Sequence, residues 1–201
     1  MENLKRGLKW TAVGVLAAFV LLVIARMPVV YQKQKTDEQV AKIHATKLTM
    51  DDVMGKNLPP DPGVEADKTV AGIDANTNGI RDDVELAIFK EYPNSAKTRA
   101  VLLQYALALQ MEVTLPILNK EPATASVEDN ESRADICMWS LSSRSDMNKF
   151  SADMDKYRGF VKELQLNTKE RGDYMRDFYK YVGSYSSSND GCDLDLSIIP
   201  K

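Results

Sequence analysis

Between Asp74 and Glu85, oxygen-bearing side chains recur at alternate positions. Asp74, Asn76 and Asn78 lead, Asp82 follows, and the acid Glu85 closes a stretch of twelve residues. Gly79 stands directly after Asn78. This pattern suits a hard cation, which takes about six to eight oxygens from a tight loop whose alternate side chains turn to one centre. A glycine belongs where such a loop reverses, because it enters the left-handed backbone region without a Cβ penalty. The competing reading of the same residues is an Asn-Gly turn in a polar loop. No other stretch carries comparable chemistry. The chain holds one histidine, His44, and two cysteines. It lacks a Ser-His-Asp arrangement, a Cys-x-x-Cys pair, a Gly-rich phosphate loop and a His-rich metal motif.

The run Asp74-Ala75-Asn76-Thr77-Asn78-Gly79-Ile80-Arg81-Asp82-Asp83-Val84-Glu85 resembles the EF-hand loop and its single-loop relatives in exported bacterial proteins. The resemblance implies calcium as the cofactor. Its ligands would be side-chain oxygens of Asp74, Asn76 and Asn78, the carbonyl of Ile80, a direct or water-bridged oxygen of Asp82, and both carboxylate oxygens of Glu85. The longer run from Pro59-Pro60-Asp61-Pro62-Gly63 to Glu85 is similar to a stretch common in exported bacterial proteins, and brings no activity with it. Two features depart from a paired EF-hand. Arg81 occupies the place of the aliphatic that pairs with a second loop, and the prolines and Gly72 upstream leave no entering helix. A lone loop of this kind holds a shape rather than opening a groove. With three acidic ligands, its affinity is expected to be as weak as ~0.1–1 mM.

The residues that must position this loop begin with an apolar segment. Residues 10–25 are uncharged, Lys5, Arg6 and Lys9 precede them, and Met27–Tyr31 extend the run past Arg26. With Arg26 snorkelling, and Trp10 and Tyr31 at the interfaces, residues 10–31 are expected to form a retained signal-anchor crossing the membrane once. The alternative is a cleaved signal peptide with Val23 and Ala25 before the cut. Basic residues flank both ends, so charge alone sets no orientation. A calcium loop and a cysteine pair both suit a non-cytoplasmic compartment, so residues 1–9 are placed inside and residues 32–201 outside, in the periplasm or beyond the cell.

Charge agrees with this division. Residues 1–31 carry four basic groups against Glu2, and the remainder carries 22 basic against 28 acidic, or −6. An acidic soluble part argues against nucleic acid as a partner, and the missing phosphate loop against a nucleotide. Cys137 and Cys192 are read as one disulfide, given the exported context, with two buried thiols as the alternative.

Hydrophobic spacing predicts an all-α chain: the membrane helix and a bundle of four or five helices. Residues 32–70 are expected to hold a short helix at about 36–48, capped by Thr36 with Gln39, and a Pro-rich extended segment. The domain proper, 71–201, has predicted helices at about 80–92, 96–118, 146–165 and 168–185 (the last capped by Asn167), and an apolar face through Val127, Ala134, Cys137, Met138 and Leu141. The aromatic run Tyr174, Phe178, Tyr179, Tyr181 and Tyr185 reads as core and partial burial.

These features point to a membrane-anchored, calcium-stabilised binding or structural protein that docks a partner in the cell envelope and is not an enzyme. The alternative is an envelope hydrolase using paired carboxylates drawn from Asp135, Asp146, Asp153, Asp155 and Glu163. A catalytic pair would sit in a cleft with one strongly raised pKa.

Overall fold

An unbroken apolar run without a capping signal has nothing to stop a helix, and none stops here. In the computed structural model, which describes residues 2–117, 119–186 and 191–200, helix α1 runs from Glu2 to Ala45. Pro28 lies inside it, where it removes one backbone donor. The expected helix start at Thr36 does not occur. The Thr36 hydroxyl donates back to the carbonyl of Gln32, as a residue inside a helix does. At about 1.5 Å per residue, residues 10–31 measure about 33 Å, against about 30 Å of bilayer hydrocarbon. The segment is long and apolar enough to cross a membrane, and its Phe19, Leu22, Val29 and Val30 side chains are exposed.

The chain forms two compact units, Met1–Gln39 and Val40–Lys201. In the second, every described regular element is helical. Helices α2 (Met50–Val53), α3 (Asp82–Glu91), α4 (Ala96–Thr114), α5 (Lys120–Ser126), α6 (Ser132–Met138), α7 (Met147–Gln165) and α8 (Lys169–Tyr179) follow in order. A π-turn, Val127–Glu131, joins α5 to α6 in one rod, and the unit has seven described helices where four or five are expected, because the short α2 and the break within this rod add to the count.

Helix α4 is the axis of this unit. Along it, Leu102, Tyr105, Ala106, Leu109 and Val113 recur at helical spacing, which reads as one apolar stripe. Instead Ala and Leu surround it, only Lys97 and Thr114 are exposed, and α2, α3, α5, α6, α7 and α8 all pack on it. A helix apolar on all sides is a helix surrounded by others. Ser95 caps it through the Thr98 amide, and Asp146 caps α7 through the amides of Asn148 and Lys149. Helix α8 is capped by Thr168, not Asn167, and ends at Tyr179. Asn167 faces sideways instead, donating to Asp67 and accepting from Arg171.

The segment from 40 to 70 packs along the helices of this unit. Leu48, Val53 and Ala66 are buried, and a box between Thr49 and Asp52 caps α2. Cys137 on α6 is joined to Cys192. The tail is further held by Gln104, which donates to the Gly191 carbonyl at 2.8 Å and accepts from the Asp193 amide at 3.0 Å.

Candidate metal centre

The loop is organised by Asp74. One of its carboxylate oxygens accepts from the Asn78 amide at 3.1 Å, and the other from the Gly79 amide at 2.9 Å. Asn76 and Asn78 close further turns, accepting from the amides of Asn78 (3.4 Å) and Ile80 (2.8 Å). Asp82 folds back on the Ala75 amide at 3.0 Å, so the loop is drawn closed from both ends. Thr77 and Gly79 carry the positive φ values, 57° and 85°, that this reversal demands. A Cβ at Gly79 would lie 2.7 Å from Leu107, a core side chain of α4. Gly79→Ala is therefore expected to lower stability by about 1–3 kcal/mol, read from a denaturant midpoint; an unchanged midpoint would mean that the turn relaxes freely.

Glu85 arrives from the first turn of α3. Its residue is 1% exposed, and the Asn76 amide donates to its carboxylate at 3.0 Å. Burial pushes its pKa up to about 7; the amides of Asn76 and Asn78 pull it back, while Asp52 and Asp82 push it further up. Asp82 is raised too, first by burial and then by its acidic neighbours Asp74 and Asp83, against the pull of the Ala75 amide. Among the described residues no lysine or arginine pairs with Glu85. Asp74, Asn76, Asn78 and Glu85 are thus brought together by direct contacts, with Asp82 bracing them. Ile80 is wholly buried, its side chain serving the core. Among the described residues no three His, Cys, Asp or Glu side chains gather as a metal site. The loop's oxygen set depends on two asparagine amides and one carbonyl. An asparagine presents either oxygen or nitrogen in nearly the same space, so a half-turn of Asn76 would aim its oxygen where its nitrogen now meets Glu85.

Arg81 has an occupation of its own. It is wholly buried, forks onto Asp83 at 2.5 and 2.8 Å, and donates to the carbonyls of Leu164 (2.7 Å) and Gln165 (3.3 Å) at the end of α7. The place where a second loop would pair is taken by a tie to the helical core. Arg171 acts likewise from α8, donating to the carbonyls of Ala66 (2.5 Å), Thr69 (3.1 Å) and Val70 (3.0 Å) and to Asp67. Gln110 of α4 donates to the Ala71 carbonyl at 2.7 Å.

No family model, no curated protein and no solved structure matches the chain. Its chemistry rests on its own residues.

Of the acids considered for hydrolysis, Asp135 pairs with Arg158 at 2.8 Å, Asp146 caps α7, and Asp153 holds Lys149 and Ser142. Asp155 and Glu163 are exposed. His44 meets Asp129 at 3.0 Å. Of the aromatic run, Tyr174 donates to the Leu115 carbonyl, Phe178 is buried against Ala123 and Val127, and Tyr181 and Tyr185 are exposed. Sequence reasoning singles out Arg81 but neither the buried Arg171 nor a buried glutamate on α4, Glu112, beside Glu131. The available signal was a charge on an apolar stripe: Arg171 shares the spacing of Met175 and Phe178, and Glu112 that of Tyr105 and Leu109.

Proposed function

We propose that the chain is a membrane-anchored binding or structural protein whose helical unit stands outside the cytoplasm, stabilised by a calcium ion in the 74–85 loop. Asp74, Asn76, Asn78, the Ile80 carbonyl, Asp82 and Glu85 would hold the ion. The observation that carries the metal reading is Glu85: a carboxylate buried beside Asn76, without a basic partner, at the position where the loop pattern asks for the closing ligand. A divalent cation supplies there the charge that lets Glu85 and Asp82 ionise while buried. The ion would work on shape. It would join α3 to the loop, and the loop to the 66–71 backbone that Arg171 and Gln110 hold. Residues 10–31 would provide the anchor, supported by their exposed apolar side chains. The disulfide supports an oxidising compartment. The helical unit would then meet a protein partner of the cell envelope.

Thermal melting with calcium and with chelator tests the metal reading. At free calcium about tenfold above its dissociation constant, the native protein gains about 1.4 kcal/mol, with helicity unchanged. Asp74→Ala loses that gain. Identical melting of the native protein in calcium and in chelator would overturn the metal reading. The anchor is tested separately: membrane fractionation should retain the full chain and release a chain lacking residues 10–31.

A further inference from the structure

The core of the second unit contains a carboxyl group with no charge partner of its own. Glu112, on α4, is 0% exposed, and neither of its carboxyl oxygens makes a hydrogen bond. A second acid, Glu131, stands beside it on the π-turn. Glu131 accepts from the Tyr179 hydroxyl of α8 at 2.5 Å, and its other oxygen lies 4.0 Å from the Lys162 ammonium of α7. Tyr179 and Lys162 are thus engaged with Glu131, and their pull on Glu112 is outweighed by its burial and by the Glu131 charge. Tyr105, about two turns back along α4, is also wholly buried with its hydroxyl unpartnered. Beyond it lies the Asp135–Arg158 pair, which closes on itself. A carboxyl sealed from water beside a second acid ionises only at high cost, so Glu112 keeps its proton. Burial first, then the Glu131 charge, holds Glu112 well above the usual carboxylate range, against the opposing pull of Lys162.

The position matters more than the charge. The π-turn is the joint of the α5–α6 rod, and α4 is the surface against which that rod packs. We propose that Glu112 and Glu131 form a proton-operated latch, in which protonated Glu112 lets the α5–π–α6 rod close on α4 and loss of that proton to water loosens the rod. The latch does not rest on the calcium loop and would act with or without the ion. The sign follows from linkage. Glu112 binds its proton more tightly folded than unfolded, so its contribution to stability is complete below the ordinary glutamate range and is lost as pH rises through the folded value.

The test compares the full chain with Glu112→Gln and Glu131→Gln by denaturant unfolding from about pH 5 to about pH 9, in chelator throughout. Glu85 and Asp82 titrate alike in all three and cancel in the differences. Between the ordinary glutamate range and the raised folded value, the unfolding constant of the native chain should rise up to about tenfold more per pH unit than that of Glu112→Gln. Glu131→Gln should move the upper end of that extra slope, which the folded value sets, to lower pH, because the like charge is gone. Backbone hydrogen exchange should place the alkaline loosening in residues 120–138 of the native chain and not of Glu112→Gln. Equal slopes in the native chain and Glu112→Gln overturn the latch. If Glu112→Gln does not fold, the Glu131→Gln profile decides alone, and an upper end of the slope unchanged from the native chain overturns it.

Discussion

Arg171→Ala is expected to lower stability by about 3–5 kcal/mol, with the Pro-rich segment detaching from α8. The side chain is wholly buried and reaches three carbonyls, of Ala66, Thr69 and Val70, within a segment that has no strand or long helix to satisfy them. Truncation removes the Arg171 donor from the Ala66 and Val70 carbonyls, while Thr69 keeps the Gly72 amide at 3.2 Å, at about 1–3 kcal/mol for each group that water cannot reach. Arg171→Lys should recover only part of the loss, because a single ammonium cannot span the fan that a planar guanidinium covers. Denaturant unfolding with an unchanged slope is the measurement. A loss under about 1 kcal/mol would mean that the 66–70 backbone is held by something other than Arg171. The acid limb carries a second, smaller sign. The hydrogen bonds from Arg171, then Asn167, hold Asp67 below its ordinary range, so the pair stabilises above that range and the benefit is lost as pH falls. Asp67 is half exposed, so solvent screening keeps this contribution small beside that of the buried carbonyls.

This tie bears on what the loop is for. The sequence suggests that a cation fastens the extended segment to the helices. In the structure, Arg81 already ties the loop to the end of α7, and Arg171 of α8 and Gln110 of α4 hold the 66–71 backbone. The ion's remaining contribution is local: it would relieve the burial of Glu85 and Asp82 and hold α3 to its own loop. A modest calcium effect on melting is therefore consistent with the metal reading, and a loss as large as that of Arg171→Ala is not required of Asp74→Ala.

How far the fold could be read beforehand follows from which forces are local. Caps and breakers are local, so the ends of α4 at Ser95 and of α7 at Asp146 are legible from a few residues. The Asp74 to Gly79 turn is legible for the same reason: its bonds join residues at most five apart. The Thr36 box misleads because a capping pattern marks a helix start only where the preceding chain is not already helical, and the apolar run before it is. Helix α4 reads as amphipathic because its apolar residues satisfy a stripe; that they satisfy every other face as well becomes decisive only when six helices surround it. Arg171 and Glu112 read as surface charges by residue type. Their partners lie far along the chain, more than one hundred residues away for Arg171 and Ala66, and no local rule connects such pairs.

Removing the Cys137–Cys192 bridge should lower stability by about 4 kcal/mol without unfolding the tail from the helical unit. The two cysteines are 55 residues apart, and a loop of that length restricts the unfolded chain by about this amount. The folded tail has other holds. Gln104 grips both sides of Cys192, and the Asp193 carboxylate, 3% exposed, takes the Leu48 amide at 3.0 Å and Arg133 at 2.9 Å, with Lys47 at 3.6 Å. A Cys137→Ala, Cys192→Ala double variant should therefore shift the denaturant midpoint strongly while the Asp193 amide remains protected from exchange. Loss of that protection would show that the bridge positions the tail in the folded state as well as limiting the unfolded one. The same pair reports on topology. If residues 32–201 stand outside the cytoplasm, thiol-trapping in intact cells should find both cysteines blocked as disulfide, and a chain whose apolar segment is deleted, retained in the cytoplasm, should present two thiols and lose the same stability as the double variant. Free thiols in the full chain would place the helical unit on the reducing side, where the calcium reading also fails, since free calcium there lies far below the millimolar range a loop with three acidic ligands would need.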